Sequence, residues 1–142
     1  MKLYMTFSKK SLVIAVAAAL IIIAVGGQIA AARNTVKNGE TNALRIEFIN
    51  SMGYSVNDSA VSAKETAVPN EFSDVYKRYN ELQRKAGYNL LEYKGKKVTV
   101  YTYAIENSES EFVNIIVCDG VVIGGDVSDV CINGEMKPLL KR

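Results

Sequence analysis

Histidine and tryptophan are both missing from the 142 residues, and cysteine and proline occur only twice each. Without imidazole, Ser-His-Asp and Cys-His catalysis are excluded, and so are most zinc sites, which use His as base or ligand. Chemistry would fall to carboxylates, lysines, tyrosines or the two thiols, and no such constellation stands out, so the expectation is a non-enzyme without cofactor or metal, the alternative being a small envelope enzyme that uses carboxylates or a cysteine. Cys118 and Cys131 are separated by 12 residues, which fits neither a C-x-x-C redox motif nor a zinc knuckle. They read either as a disulfide, which in an oxidising compartment stabilises by about 3 kcal/mol, or as two small residues placed by packing. A basic stripe is lacking as well. Lys2, Lys9 and Lys10 precede every acid, and residues 33–142 carry fourteen bases against fifteen acids, a net of −1. That removes the electrostatic case for nucleic acid, which needs a basic face to replace phosphate counterions. Lys94, Lys96 and Lys97 read as a solvated turn around Gly95.

One thing the chain has in abundance is an uninterrupted apolar run. Residues 11–32 hold 22 positions without a charge, and residues 12–25 are only Leu, Val, Ile and Ala. As a helix this run covers about 33 Å, enough for a hydrocarbon core of about 30 Å. Lys2, Lys9 and Lys10 before it keep the N-terminus cytoplasmic by the positive-inside rule. The layout expected is a basic tail at 1–10, a transmembrane helix at 11–32, a stalk at 33–40 and an extracytoplasmic domain at 41–142. A cleaved signal peptide is the other reading, with Ala30, Ala31 and Ala32 as an A-x-A-like site. Either way the domain lies outside the cytoplasm, tethered or secreted. The expected partners are the bilayer, through residues 11–32, and an envelope protein.

Within the domain, Thr41 reads as an N-cap, and Leu44, Phe48, Ile49 and Met52 recur at helical spacing until Gly53, giving a helix over 42–52. Residues 61–68 alternate as a strand ending at Pro69. Phe72, Val75, Tyr76, Tyr79, Leu82 and Ala86 form one side of a second helix that Gly87 stops. Residues 88–95 read as a loop. From Val98 the period changes to two, with Val98, Val100 and Ala104 on one face and Thr99, Tyr101, Tyr103 and Ile105 on the other. Residues 112–118 and 121–127 are two more strands around Asp119-Gly120, a type I′ hairpin dipeptide that sets Cys118 against Val121 and Val117 against Val122. Residues 133–142 read as a tail. The sum is α+β: helix, strand, helix and a three-stranded meander, with both helices on one face of the sheet.

The sharpest site candidate is Gly124-Gly125-Asp126, with Asp129 after it. Read functionally, the glycines expose amides and leave room for a ligand, and Asp126 adds charge. Read structurally, they allow a bulge or the close approach of another group. Asp119, Asp126 and Asp129 do not fit the spacing of an EF-hand loop. Glu109 and Glu111, as neighbours on a hairpin, read as solvated surface and not as a glycosidase dyad. Tyr88, Tyr93, Tyr101 and Tyr103 cluster in sequence, either as a recognition surface, for which Tyr93 is the candidate contact, or as packing.

Five words stand in order: RIEFINSMGY at 45–54, PNEFSDVY at 69–76, YNELQ with AGY at 79–88, YKGKKV with YTY at 93–103, and VIGGD at 122–126. Together they resemble the domain-of-unknown-function 4830 family over residues 43–139. That resemblance implies a short, N-terminally anchored or secreted protein of Gram-positive, largely clostridial bacteria. It brings no activity, and neither cysteine lies within its words.

Overall fold

A computed structural model of the chain describes residues 37–131 and 133–142. The expected tail and span lie outside the described residues, among which no helix is long and apolar enough to cross a membrane. Helix α1 (Asn42–Ser51) begins as its sequence predicts: the Thr41 hydroxyl accepts the Leu44 N–H at 3.3 Å, and Gly53 ends the helix at φ +87°. Its buried face is Arg45, Phe48 and Ile49, so a guanidinium stands within the apolar stripe. Strand β1 (Ser62–Ala67) follows, with every residue exposed. Helix α2 (Asp74–Lys85) is capped by Ser73, whose hydroxyl accepts the Tyr76 N–H.

The inner face of α2 keeps Tyr76 and Tyr79 of the expected side but not Val75. Val75 is 70% exposed, and the buried positions are Asn80 and Gln83. Tyr76, Asn80 and Gln83 follow helical spacing, so the stripe is rotated toward polar side chains that bond the Leu90 N–H and the Gly125 N–H. The expected loop after it holds a 3₁₀ turn (Leu90–Tyr93) with Leu90 fully buried.

Strands β2 (Lys97–Ala104), β3 (Glu111–Cys118) and β4 (Val121–Asp129) form the expected meander, and β5 (Met136–Pro138) adds a further edge within the expected tail. Three residues are too few to show period two, and Pro138 is tolerated because it sits on an edge strand. All neighbours pair antiparallel in the order β1-β2-β3-β4-β5. The fold is α+β, two helices on a five-stranded antiparallel sheet.

The helices lie on opposite faces of that sheet, which corrects the single-face expectation. Phe48 and Ile49 of α1 pack with Tyr103, Val113, Ile115, Val117 and Leu139. Phe72, Tyr76 and Tyr79 pack with Leu90, Val98, Ile116 and Cys118. Because side chains alternate along a strand, the apolar residues of β2 and β3 at odd and even positions each need a cover, and one helix supplies each. The end of the expected stalk is also paired: the Val122 N–H donates to Lys37 O and the Gly39 N–H to Gly120 O, both at 2.8 Å.

Candidate functional site

The β3–β4 hairpin turns through Asp119 (φ +48°) and Gly120 (φ +77°), and it sets Cys118 opposite Val121 and Val117 opposite Val122 as the two-residue loop predicts. Ile116 then faces Gly124, which leaves Ile123 as the extra residue of a β-bulge. The bulge brings the two glycines under α2. A Cβ on Gly124 would lie 2.8 Å from Gln83 Oε1, and one on Gly125 would lie 2.7 Å from the Asn114 carbonyl oxygen and 2.8 Å from Leu139. The group that approaches the backbone is therefore part of the chain.

Gln83 performs a main-chain task. Strand β5 pairs with β4 only from Asp126 to Ser128, so the Gly125 N–H has no strand to meet. It donates instead to Gln83 Oε1 at 2.8 Å, inside a site where Gln83 is fully buried. Leaving that N–H bare would cost about 1–3 kcal/mol. Among the described residues the Gln83 Nε2 group has no hydrogen-bond partner.

Asp126 is buried at 2% exposure, facing α2. Tyr79 Oη donates to its Oδ1 and Asn114 Nδ2 to its Oδ2, each at 2.8 Å. Asn114 in turn donates to Ser128 Oγ at 2.9 Å and accepts from Thr102 Oγ1 at 2.7 Å. The result is a polar chain from β2 to α2 through the middle of the sheet. Burial pushes the Asp126 carboxyl above the ordinary carboxylate range, with the Asn114 and Tyr79 bonds pulling partly back. Burial, then the neighbouring carboxylate, push the Tyr79 hydroxyl well above its ordinary value.

A pH dependence follows from the raised carboxyl. The folded state holds the Asp126 proton more tightly than the unfolded chain, so this residue's contribution is most favourable at low pH. It is lost as pH rises from about 4 through the raised folded value. Asp126→Asn is expected to remove that segment of a urea-stability-against-pH curve. A segment unchanged in the variant would show that another group produces it.

The other predicted site residues do not gather around this centre. Asp129 closes β4, where its Oδ1 accepts the Cys131 N–H at 3.0 Å, and that backbone bond leads the causes that lower its pKa. Tyr93 is half-buried in the 3₁₀ turn, against the cluster of Val68 and Leu90. Tyr88 and Tyr101 pack with the α1 side, so the tyrosines are divided between the two faces and form no single surface. Both thiols are free, which corrects the disulfide reading: Cys118 is buried, with its pKa raised chiefly by burial, and Cys131 is exposed. Among the described residues no three metal-ligating side chains gather.

A second polar centre has no counterpart in the expected sites. Arg45 Nε donates to Tyr103 Oη at 2.9 Å, its Nη1 donates to Gly39 O at 2.9 Å and Glu40 O at 3.2 Å, and its guanidinium lies 3.7 Å above the Tyr101 ring. Tyr103 Oη donates onward to Asn42 Oδ1 at 2.9 Å. The signal for it is present in the sequence, since Arg45 stands three and four residues before Phe48 and Ile49 on one helix face.

Among the described residues two grooves bear on a binding surface. One, of about 470 Å³, lies beside β1 on the α1 side, with Thr99, Tyr101 and Val117 in its floor and Glu40, Glu65 and Asp119 on its rim. The other, of about 360 Å³, lies between α2 and the 3₁₀ turn. The sequence model of Domain of unknown function (DUF4830) matches residues 48–127. The chain belongs to this family. The matched DUF4830 region runs from α1 into β4 and contains Tyr79, Gln83, Asn114 and the Gly124-Gly125-Asp126 word, while Arg45 and β5 fall outside it. No curated protein and no solved structure matches the chain.

Proposed function

We propose that this DUF4830 protein is a membrane-tethered, extracytoplasmic interaction or sensing module that acts by contact and without catalysis. The tether is the uncharged run at 11–32, and release by a signal peptidase would leave the domain on the same side of the membrane. The observation that supports contact is the outer edge of β1, which no strand pairs among the described residues. Its register with β2 turns the backbone groups of Ser62, Lys64 and Thr66 inward and those of Ala63, Glu65 and Ala67 outward, and all six residues are exposed. An unpaired edge of this kind accepts an added strand from a partner. A two-fold antiparallel pairing of two copies centred on Lys64 or Glu65 would set that charge opposite its own copy.

The test is crosslinked affinity purification of C-terminally tagged full-length protein from solubilised membranes, with the tagged span alone as control. Glu65→Pro removes an outward N–H and leaves the β2 pairing intact. A partner retained by the wild-type chain and lost with Glu65→Pro is the expected result. Recovery of the bait alone would overturn the interaction reading.

A further inference from the structure

We infer that the cleft between α2 and the 3₁₀ turn is a docking site, apart from the β1 edge, for an acidic peptide segment carrying an apolar side chain, an inference that rests on the interaction reading above. Charge is segregated in this chain. Residues 71–97 hold seven Lys and Arg against four Asp and Glu, while the other described residues hold six against eleven. The cleft lies within the basic segment. Phe72 and Leu91 give it apolar surface, and Lys77, Arg84 and Lys94 line it with Glu81 as the one carboxylate.

The cations are available. Among the described residues the only ion pair is Lys77–Asp74 at 3.2 Å, so Arg84 and Lys94 contact no carboxylate. Lys94 Nζ stands 5.4 Å from the centre of the Phe72 ring, which sets an ammonium over the apolar surface. Leu91 is 44% exposed. The walls are fixed before any ligand arrives: buried Asn80 accepts the Leu90 N–H on Oδ1 at 2.7 Å and donates from Nδ2 to Asn89 Oδ1 at 3.2 Å. A preorganised cleft binds without the cost of ordering its walls.

The chemistry selects among anionic partners. A polyphosphate would satisfy Arg84 and Lys94 and leave Phe72 and Leu91 wet, and a flat bilayer surface does not enter a concave cleft of about 360 Å³. A peptide with one apolar side chain flanked by carboxylates uses both kinds of surface.

The experiment is fluorescence anisotropy of a fluorescein-labelled hexapeptide, four glutamates flanking a Leu-Phe pair, titrated with full-length protein in mild detergent. Saturable binding is expected, lost when glutamines replace the glutamates. Arg84→Glu with Lys94→Glu is expected to raise Kd by about tenfold or more, because two attractions become repulsions. Leu91→Ser is expected to raise it by about threefold. Lys85→Glu, outside the cleft, should leave Kd within about twofold. Each variant is checked for intact circular dichroism.

Absence of saturable binding by the folded wild-type chain would overturn the assignment. So would an equal loss with Lys85→Glu, which marks diffuse electrostatics, or full displacement by inorganic polyphosphate with Leu91→Ser neutral, which marks polyanion binding only. Failure here is distinguishable from failure of the interaction reading. If the crosslinked partner is captured equally by wild type and by the Arg84→Glu/Lys94→Glu chain while the peptide titration shows no saturable binding, the contact reading stands and the cleft is excluded. If nothing is captured by any chain, the contact reading itself falls.

Discussion

Gly125→Val is expected to destabilise the domain by about 3 kcal/mol or more, lowering its thermal midpoint by on the order of 15 °C. The reason is where the new atoms would go. Already at Cβ the side chain meets the Asn114 carbonyl oxygen at 2.7 Å and Leu139 at 2.8 Å. The first is backbone of the neighbouring strand and has no room to shift without breaking the β3–β4 ladder; the second is a fully buried core residue. The displaced strand would also strip the Gly125 N–H from Gln83, leaving a buried donor bare. Gly87→Ala is the comparison. Gly87 has φ +82° but nothing within 4 Å of a Cβ, so alanine there should cost only about 1–2 kcal/mol from the left-handed backbone. Calorimetry of the two variants separates close packing from backbone strain. Equal losses would contradict the packing account.

Arg45→Leu is the second large effect, an expected loss of about 2–3 kcal/mol in equilibrium urea unfolding. Leucine replaces the apolar stem but not the donors, so buried Gly39 loses the partner of its carbonyl and Tyr103 loses one of its two bonds. The flat stack on Tyr101 also disappears. Arg45→Lys is expected to recover less than half of the loss, since an ammonium reproduces neither the planar fork nor the stack. A fully stable Arg45→Leu chain would mean that the segment from Lys37 to Glu40 is held by its hairpin bonds alone.

Much of the architecture could be read from residue order, and the misses have common physical causes. Thr41, Gly53 and Gly87 punctuate the helices as read because capping is local chemistry, whereas the Ser73 cap is seen only in the fold. The Asp119-Gly120 turn set the register of the first two hairpin pairs, up to the bulge, for the same reason. The bulge beside Gly124 was also legible, although its occupant, Gln83, lies forty-one residues earlier in the chain, and no local pattern joins the two. Buried polar residues are where periodicity misled: Arg45, Asn80 and Gln83 count as hydrophilic in any pattern, yet each is turned inward because a particular backbone group elsewhere needs it. Strand β5 and the 3₁₀ turn, three and four residues long, are shorter than the periods that would reveal them. The side of the sheet taken by each helix is a long-range choice, and the two-sided apolar pattern of β2 was the local trace of it.

The Gly124-Gly125-Asp126 word is an internal fastener for α2, and on the contact reading proposed above the partner surface lies elsewhere, first of all along β1. Amide hydrogen exchange of the full-length protein in mild detergent tests both halves at once. The Gly125 amide should exchange only through global unfolding, and the outward amides of Ala63, Glu65 and Ala67 should exchange fastest within the sheet. Fast exchange at Gly125, with protection along β1, would contradict the account: it would open the glycine pair to a ligand and close the edge on which the contact reading depends.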